Sequence, residues 1–430
     1  MTPSAESRCG PDVGGPAEAA PSGPLRVAGL LAVGGFGGSQ NSAASVCKYL
    51  AASGHDVALF CDVQRAAFAF SPGQARLEHL PACPILPEYR RNARLVNLAR
   101  LISACRRRRF DAILAFNPAA LMLATGARLA TGVPTVLYLL GKGATDLTRH
   151  HRGRVVANST ETARHHADLT GRRLEEIPVL RARIDVALLE GQASRPCPQL
   201  ELLPDVPHHI ALATRLATTK IGMLTNAIAA ADLVAGRRDD ACLILAGDGP
   251  LRGRFQQQAA AVNRRHNRPV VTFLGHVENV AALFSGAAIV IGVGRGLWEG
   301  MALGKPAVVV GESGLAGVVR PETVEELGYY NFAGRNVTQP VAPERLAEEL
   351  LAILGDADYA AELGSFSRRF ILEHFDARAG AAQMEQVLRR AADEDALPPS
   401  RRFTVLPEFL LMAWAEAVRT AKGIVKSMIR

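Results

Sequence analysis

Between residues 209 and 312 short β-branched runs alternate with helical patterns, and each run ends in glycine or a charged turn. The stretch reads HIALATRLATTK, then ACLILAGDGPLRGRF, VVTFLGHVENV and AAIVIGVGRGLWEGMALGKPAVVVGE. That alternation points to parallel βαβ winding, because a helix between two strands returns the chain to the starting edge of the sheet. In an open sheet of this kind ligands bind outside the carboxyl ends of the strands, so the residues standing there constrain the chemistry. Arg215 and Lys220 follow the first run, Gly247-Asp248-Gly249-Pro250 the second, and Glu299 comes after Gly292, Gly294 and Gly296 of the fourth. These residues are expected to converge on one crevice.

The same grammar opens the chain. From Leu25, LRVAGLLAV reads as a buried strand, GGFGGSQNS as a turn, AASVCKYLAAS as a helix and GHDVALFCD as a second strand. RNARLVNLARLISACRRRRF is a basic amphipathic helix before strand DAILAF, and PTVLYLL and RVVANSTETARHHADLT continue the alternation. At 430 residues the chain exceeds one comfortable core, so two domains are expected. Residues 1–24 form a Pro/Gly/Ala tail expected to be disordered. The first domain is assigned to 25–185. Residues 186–207 lose periodicity and carry four prolines, which reads as a linker. The second domain is assigned to 208–365.

In order and wording the segments of the second half resemble the nucleotide-sugar domain of the GT-B glycosyltransferases, in particular the retaining enzymes of family 4. The pattern there is roughly R-L-x-x-x-K-G, G-D-G-P, F-L-G and L-E-A-M-A-x-G-x-P-V-V. Here it stands as Arg215-Leu216 with Lys220, Gly247 to Pro250, Phe273-Leu274-Gly275, and Trp298-Glu299-Gly300-Met301-Ala302-Leu303-Gly304-Lys305-Pro306. The resemblance implies an α/β protein of two Rossmann-like doubly wound domains facing each other across a cleft. It implies a helix over 366–392 crossing back to the first domain, and transfer of a sugar from a nucleotide diphosphate-sugar to an acceptor hydroxyl with retention. The acceptor class stays open among glycans, lipid-linked glycans and small molecules.

Transfer from such a donor requires that the leaving diphosphate be neutralised as its charge builds up, which fixed cations and backbone N–H groups can do without a metal. Arg215 and Lys220 are the candidate cations, the alternative being a solvated pair at a helix start. Ile221 stands where the family has glycine, with Gly222 one place later. The resemblance assigns Glu299 to the ribose hydroxyls and Gly249 to the nucleotide by backbone contact; an acid merely favouring a helix N-terminus is the alternative for Glu299. Arg295 and Gly296, inside the glycine turn, are further donor contacts. The family's other glutamate is replaced by Ile291, and its histidine by Leu140. The remaining histidines of the first half, 150, 151, 165 and 166, read as surface residues.

Between the first strand and first helix, the resemblance directs the turn ending in Gly37 and Gly38 toward donor sugar and acceptor. A G-x-G-x-x-G fingerprint starting at Gly35 fails at Gln40, but Asp62 imitates the ribose acid of a dinucleotide site. An NAD-linked enzyme therefore stays open as an alternative, as does a sugar-nucleotide epimerase on the same fold. Asp356-Ala357-Asp358 imitates a metal-binding D-x-D but lies between late helices and reads as a helix cap. No cofactor and no obligatory metal are expected.

Net charge is +8, a sign that favours anionic ligands, while 5% aromatic content argues against a nucleic-acid partner. The seven cysteines form no C-x-x-C, which reads as reduced thiols in a cytoplasmic protein. No run approaches the roughly 20 apolar residues that span a bilayer. The tail assigned to 393–430 is a basic amphipathic segment. Leu411, Trp414, Val418, Ala421, Val425 and Met428 share one helical stripe, with Arg419, Lys422, Lys426 and Arg430 beside it. Two readings are open: the stripe packs on the first domain, or it lies on an anionic membrane, peripheral on the inner face.

Overall fold

The computed structural model describes residues 23–31, 38–61, 76–79, 91–140, 145–181 and 183–428. The tail 1–22, Gly37 and Asp62 lie outside them. The chain divides into two compact units, one comprising residues up to Arg183 together with Ala377–Arg430, the other Ile184–Asp376.

In the first unit six strands form one parallel sheet: β1 Arg26–Leu30, β2 Asp56–Cys61, β3 Arg76–His79, β4 Ala112–Ala115, β5 Thr135–Leu139 and β6 Arg154–Ala157. Their order is β3-β2-β1-β4-β5-β6, so the chain reverses its direction of winding between β1 and β4, the doubly wound arrangement. Apolar side chains fill both faces, as a sheet with helices on each side requires. Ala28, Leu30 and Phe60 join one core, while Val27, Leu59 and Tyr138 join the other. Ala381, Met384, Leu388 and Ala391 of the helix Ala377–Glu394 pack into the second of these cores at helical spacing. Cysteines 47, 61 and 105 are buried among these residues, and burial pushes the Cys105 thiol up to about 12.

The second unit repeats the winding: β7 His208–Ala213, β8 Ala241–Ala246, β9 Val271–Gly275, β10 Ile289–Gly292, β11 Ala307–Gly311 and β12 Gly314–Val318. The order is β12-β11-β10-β7-β8-β9, parallel except for the β11–β12 hairpin. Both units are thus Rossmann-like. Residues 186–207, expected as a linker, carry the helix Val186–Ala193 and the short 3-10 helix Pro198–Leu202. Asp185 caps the first by accepting from Leu188 N at 3.0 Å, and Val186 and Leu189 are buried with Phe284. Two apolar anchors in eight residues are too few to leave a visible period. The helix expected over 366–392 is instead two, broken at Phe375. Ala357–His374 belongs to the second unit, where Phe375 meets the Trp298 ring at 5.0 Å between centroids.

The C-terminal segment, read as a tail, is the helix Leu406–Met428, docked on the first unit. It docks by Glu408, Met412 and Glu416, which recur every fourth residue and are buried, and not by the stripe containing Leu411 and Trp414. Glu408 Oε1 lies 3.0 Å from His151 Nδ1. His151 and His166, which read as surface residues, are both buried: His166 sits on the inward side of the helix Thr160–Thr170 and neither ring nitrogen has a hydrogen-bond partner. Burial, then the positive charges of Arg172, His151 and His165, pull its pKa from 6.5 down to about 4.

Because the folded chain resists protonating His166, the unfolded state takes up the proton first as pH falls below 6.5. Stability is therefore lost from pH 6.5 downward, and the loss is complete near pH 4, at about 3 kcal/mol. The expected result is that His166→Leu flattens the fall of Tm between these pH values; parallel Tm curves for the two proteins would refute it.

Candidate functional site

Three loops at the carboxyl ends of β7, β8 and β9 are joined through their backbones. Gly247 N donates to Gly275 O at 2.6 Å, Thr214 N to Ala246 O at 2.9 Å, Leu216 N to Asp248 O at 3.0 Å, and Leu251 N to Leu216 O at 3.2 Å. The approach is close enough to dictate residue type: a Cβ on Gly247, whose φ is +140°, would lie 1.9 Å from the Thr214 carbonyl oxygen. The bare backbone of Gly296 likewise rests against Ala213 at the end of β7. Arg215, exposed on the first of these loops, is held on the same edge as the turn after β10.

Gly249 has its backbone committed within the loop. Its N–H donates to Asp248 Oδ1 at 2.7 Å and its carbonyl accepts from Arg252 N at 3.1 Å. Asp248 also faces Arg252 at 3.3 Å.

Lys220 closes the short 3-10 turn Thr218–Lys220 just before the helix Ile221–Ala235, and is half-buried. Burial lowers its pKa; the Glu312 carboxylate opposes the shift and the Arg335 guanidinium adds to it. Glu312 follows the last residue of β11 and accepts from Gly222 N at 2.9 Å. A Cβ at Gly222 would fall 1.9 Å from the Glu312 carbonyl oxygen, so glycine is required one position later than the family pattern places it. Glu312 and Arg335 were not singled out from the sequence. The signal for Glu312 was its place at the carboxyl end of the strand AVVVG; Arg335 had none.

Glu299 does not open its helix. The helix runs Arg295–Ala302, so Glu299 lies in its second turn, which removes the reading of an acid favouring a helix N-terminus. Leu297, Trp298, Met301 and Ala302 bury the other side of the helix in the core. Arg295 and Glu299 share the remaining face, with Arg295 Nε 2.7 Å from Glu299 Oε1 and both side chains less than a fifth exposed. Arg295, expected as a donor cation, thus holds the carboxylate expected to bind ribose. Ile291, eight residues before Glu299, is a buried residue of β10 in the core beneath the sheet.

Gly38 is the first residue of the helix Gly38–Ala52 in the first unit, and Leu140 follows β5 and packs partly on that unit's core. Asp356 N-caps Ala357–His374, accepting from Tyr359 N at 2.9 Å. Among the described residues no three His, Cys, Asp or Glu side chains cluster to hold a metal ion. Of the residues picked from sequence, the structure therefore brings Arg215, Lys220, Gly249, Arg295, Gly296 and Glu299 to the carboxyl edge of one sheet.

Comparisons with known proteins bear on the fold. Residues 37–170 match the glycosyl transferase 4-like domain and residues 207–356 match the glycosyl transferases group 1 domain. Among solved structures, Anabaena HepE in complex with UDP superposes with a TM-score of 0.63 at 19% identity, covering 85% of this chain and 99% of that one. A glycosyltransferase from Rickettsia africae gives 0.64 at 15%, covering 86% and 99%. A UDP-GlcNAc 2-epimerase from Neisseria meningitidis, bound to UDP-GlcNAc, gives 0.58 at 12%, covering 85% and 99%. No curated protein sequence matches the chain.

Gly247→Ala should lower stability by about 1–3 kcal/mol, through the clash with Thr214 and the unfavourable φ. Gly253→Ala, in an open helical position with nothing within 4 Å, should be neutral or stabilising. Chemical denaturation of the two variants decides it: equal stabilities would mean that the loops are not locked as described.

Proposed function

Since the chain belongs to the GT-B, family-4-like glycosyltransferases, we propose that the carboxyl edge of its second sheet binds a nucleotide diphosphate-sugar and that the sugar passes with retention to an acceptor hydroxyl. The carrying observation is the gathering on that edge of two cations, Arg215 and the half-buried Lys220, with a carboxylate, Glu299, fixed by Arg295. A cation drawn partly out of water meets a diphosphate with less screening, and the arriving anion in turn favours the charged lysine. Glu312, bonded to Gly222, sets the position of the helix start beside Lys220 and supplies the countercharge until the donor arrives.

In this reading Glu299 accepts the ribose hydroxyls while Arg295 keeps its carboxylate from turning away. First-turn N–H groups around Gly296 and the cations Arg215 and Lys220 hold the diphosphate. The acceptor oxygen attacks the anomeric carbon as the bond to the diphosphate breaks, and the acceptor proton passes to the leaving phosphate oxygen. No metal is assigned a role, the cations supplying the neutralisation. Support for UDP as the first donor base to test comes from the UDP complexes of HepE.

A second reading has its own observation. Ile291, buried in β10, stands where the family carries a glutamate, so a protein that binds the donor without transferring its sugar is the rival. Thermal unfolding against UDP, GDP, ADP and dTDP separates donor binding from its absence. A ligand at a hundred times its Kd should add about 2.7 kcal/mol. Nucleoside diphosphate release from the matching sugar donor then separates transferase from rival. Glu299→Ala and Lys220→Ala should each lower turnover by about 10²-fold or more with Tm unchanged. Near-normal turnover in both variants would remove the site assignment.

A further inference from the structure

The C-terminal helix Leu406–Met428 is docked by the wrong face for an ordinary amphipathic helix. Glu408 and Glu416, the only acidic residues of 398–430, are turned inward and are 6% and 4% exposed. Glu408 meets His151 at 3.0 Å and Glu416 meets Arg419 at 2.8 Å. On the opposite side Leu406, Leu410, Leu411 and Trp414 face solvent, Trp414 at 71% exposure, and Phe403 just before the helix reaches 78%. The docked side does pack Phe409, Met412 and Ala415 on the core. A helix that also buries its two carboxylates and exposes a tryptophan and leucines nevertheless carries a second apolar face with no partner among the described residues.

Next to this stripe lies an open groove of about 290 Å³ lined by Leu129, Ala130, Pro399, Arg402, Phe403 and Leu406. Arg402 reaches Ala130 O through Nη1 at 3.4 Å, and its buried Nε has no hydrogen-bond partner. Arg401 and Arg419 are exposed and Arg402 is half-buried, and every further charge in the sequence after them, Lys422, Lys426 and Arg430, is basic. A second copy of the same face would bring like charges together with no acid to answer them. An anionic lipid surface answers both halves of the pattern, with headgroups for the arginines and the acyl boundary for Trp414, Leu410 and Phe403. No described helix is long and apolar enough to cross a membrane, so the contact is one of lying on the surface.

We propose that this face, from Phe403 along the helix to Trp414 with the flanking arginines, docks the protein on a membrane rich in acidic phospholipid. The inference is independent of the transfer reading, because none of these residues belongs to the donor site.

The test is co-sedimentation of the full chain with vesicles of phosphatidylcholine alone and of phosphatidylcholine mixed with phosphatidylglycerol. Wild type is expected to bind the mixed vesicles at least about tenfold more tightly, and less so as salt is raised. The variant Phe403→Ser/Leu410→Ser/Trp414→Ser should lose that binding by about tenfold or more while keeping its Tm, since all three side chains are exposed. It should also keep the wild-type thermal response to nucleoside diphosphate, which makes failure here distinguishable from failure of the donor site. The proposal falls if wild type ignores the mixed vesicles, or if the triple variant binds them as well as wild type. It falls also if wild type is a dimer that the triple variant dissolves without any vesicle binding, which would assign the stripe to a second copy.

Discussion

The Thr214 carbonyl oxygen sits where a side chain at residue 247 would begin, 1.9 Å from an ideal Cβ, and the carboxyl edge of the second unit's sheet depends on that approach. Because Gly247 lets the loop after β8 lie directly on the loop after β7, their backbone groups satisfy one another and leave no room for drift. Arg215 is carried between two of those bonded residues, Thr214 and Leu216. The same economy recurs where Gly222 meets Glu312, which ties the loop after β11 to the helix that follows Lys220. The side chains proposed to hold the donor are thus mounted on backbone fixed by backbone.

Much of this was legible in the sequence because parallel sheets write in a plain code. Buried strands must be apolar on both faces, and their carboxyl ends must carry the turns, so runs such as ACLILAGDGP declare both the element and its functional end. The doubly wound class of both units, and the standing of Arg215 and Lys220 beyond the carboxyl end of a strand, were readable from that code. What escaped it was decided by contacts between distant segments. Arg335 comes near Lys220 only through the folding of the chain after β12, and no local pattern announces that. The alternative that made Glu299 a helix N-terminal acid arose because glycines at 292, 294 and 296 read as loop, whereas the helix already begins at Arg295. His166 read as a surface residue because its neighbours are polar, yet the helix phase turns it inward among other positive groups.

The C-terminal helix shows the limit of periodicity most clearly. The stripe Leu411, Trp414, Val418 and the charged residues beside it were visible, but a hydrophobic period says only that one face differs from the other. Which face meets the protein was settled by His151, buried 257 positions away and placed opposite Glu408. A buried carboxylate facing an imidazole gives the docked side a specific partner, where apolar residues alone would have accepted several registers. Phe409, Met412 and Ala415 pack beside that contact, and the stripe of Leu410, Leu411 and Trp414 stays outward.

The Arg295–Glu299 pair can be weighed against its local worth. An i,i+4 pair on a helix adds only about 0.2–0.5 kcal/mol, and with the arginine N-terminal to the glutamate the orientation is the less favourable one. A basic group in the first turn also opposes the helix dipole. Helix stability therefore does not account for this arrangement. Its sense lies in what precedes and supports it: Gly294 N is bonded to Phe332 O, Trp298 is locked against Phe375, and the helix is thereby rigid before any ligand arrives. On such a helix a guanidinium one turn before the carboxylate fixes one of its oxygens and leaves the other to be judged by the ligand. The proposed ribose contact then requires no reorganisation of Glu299 beyond what the free protein has already made.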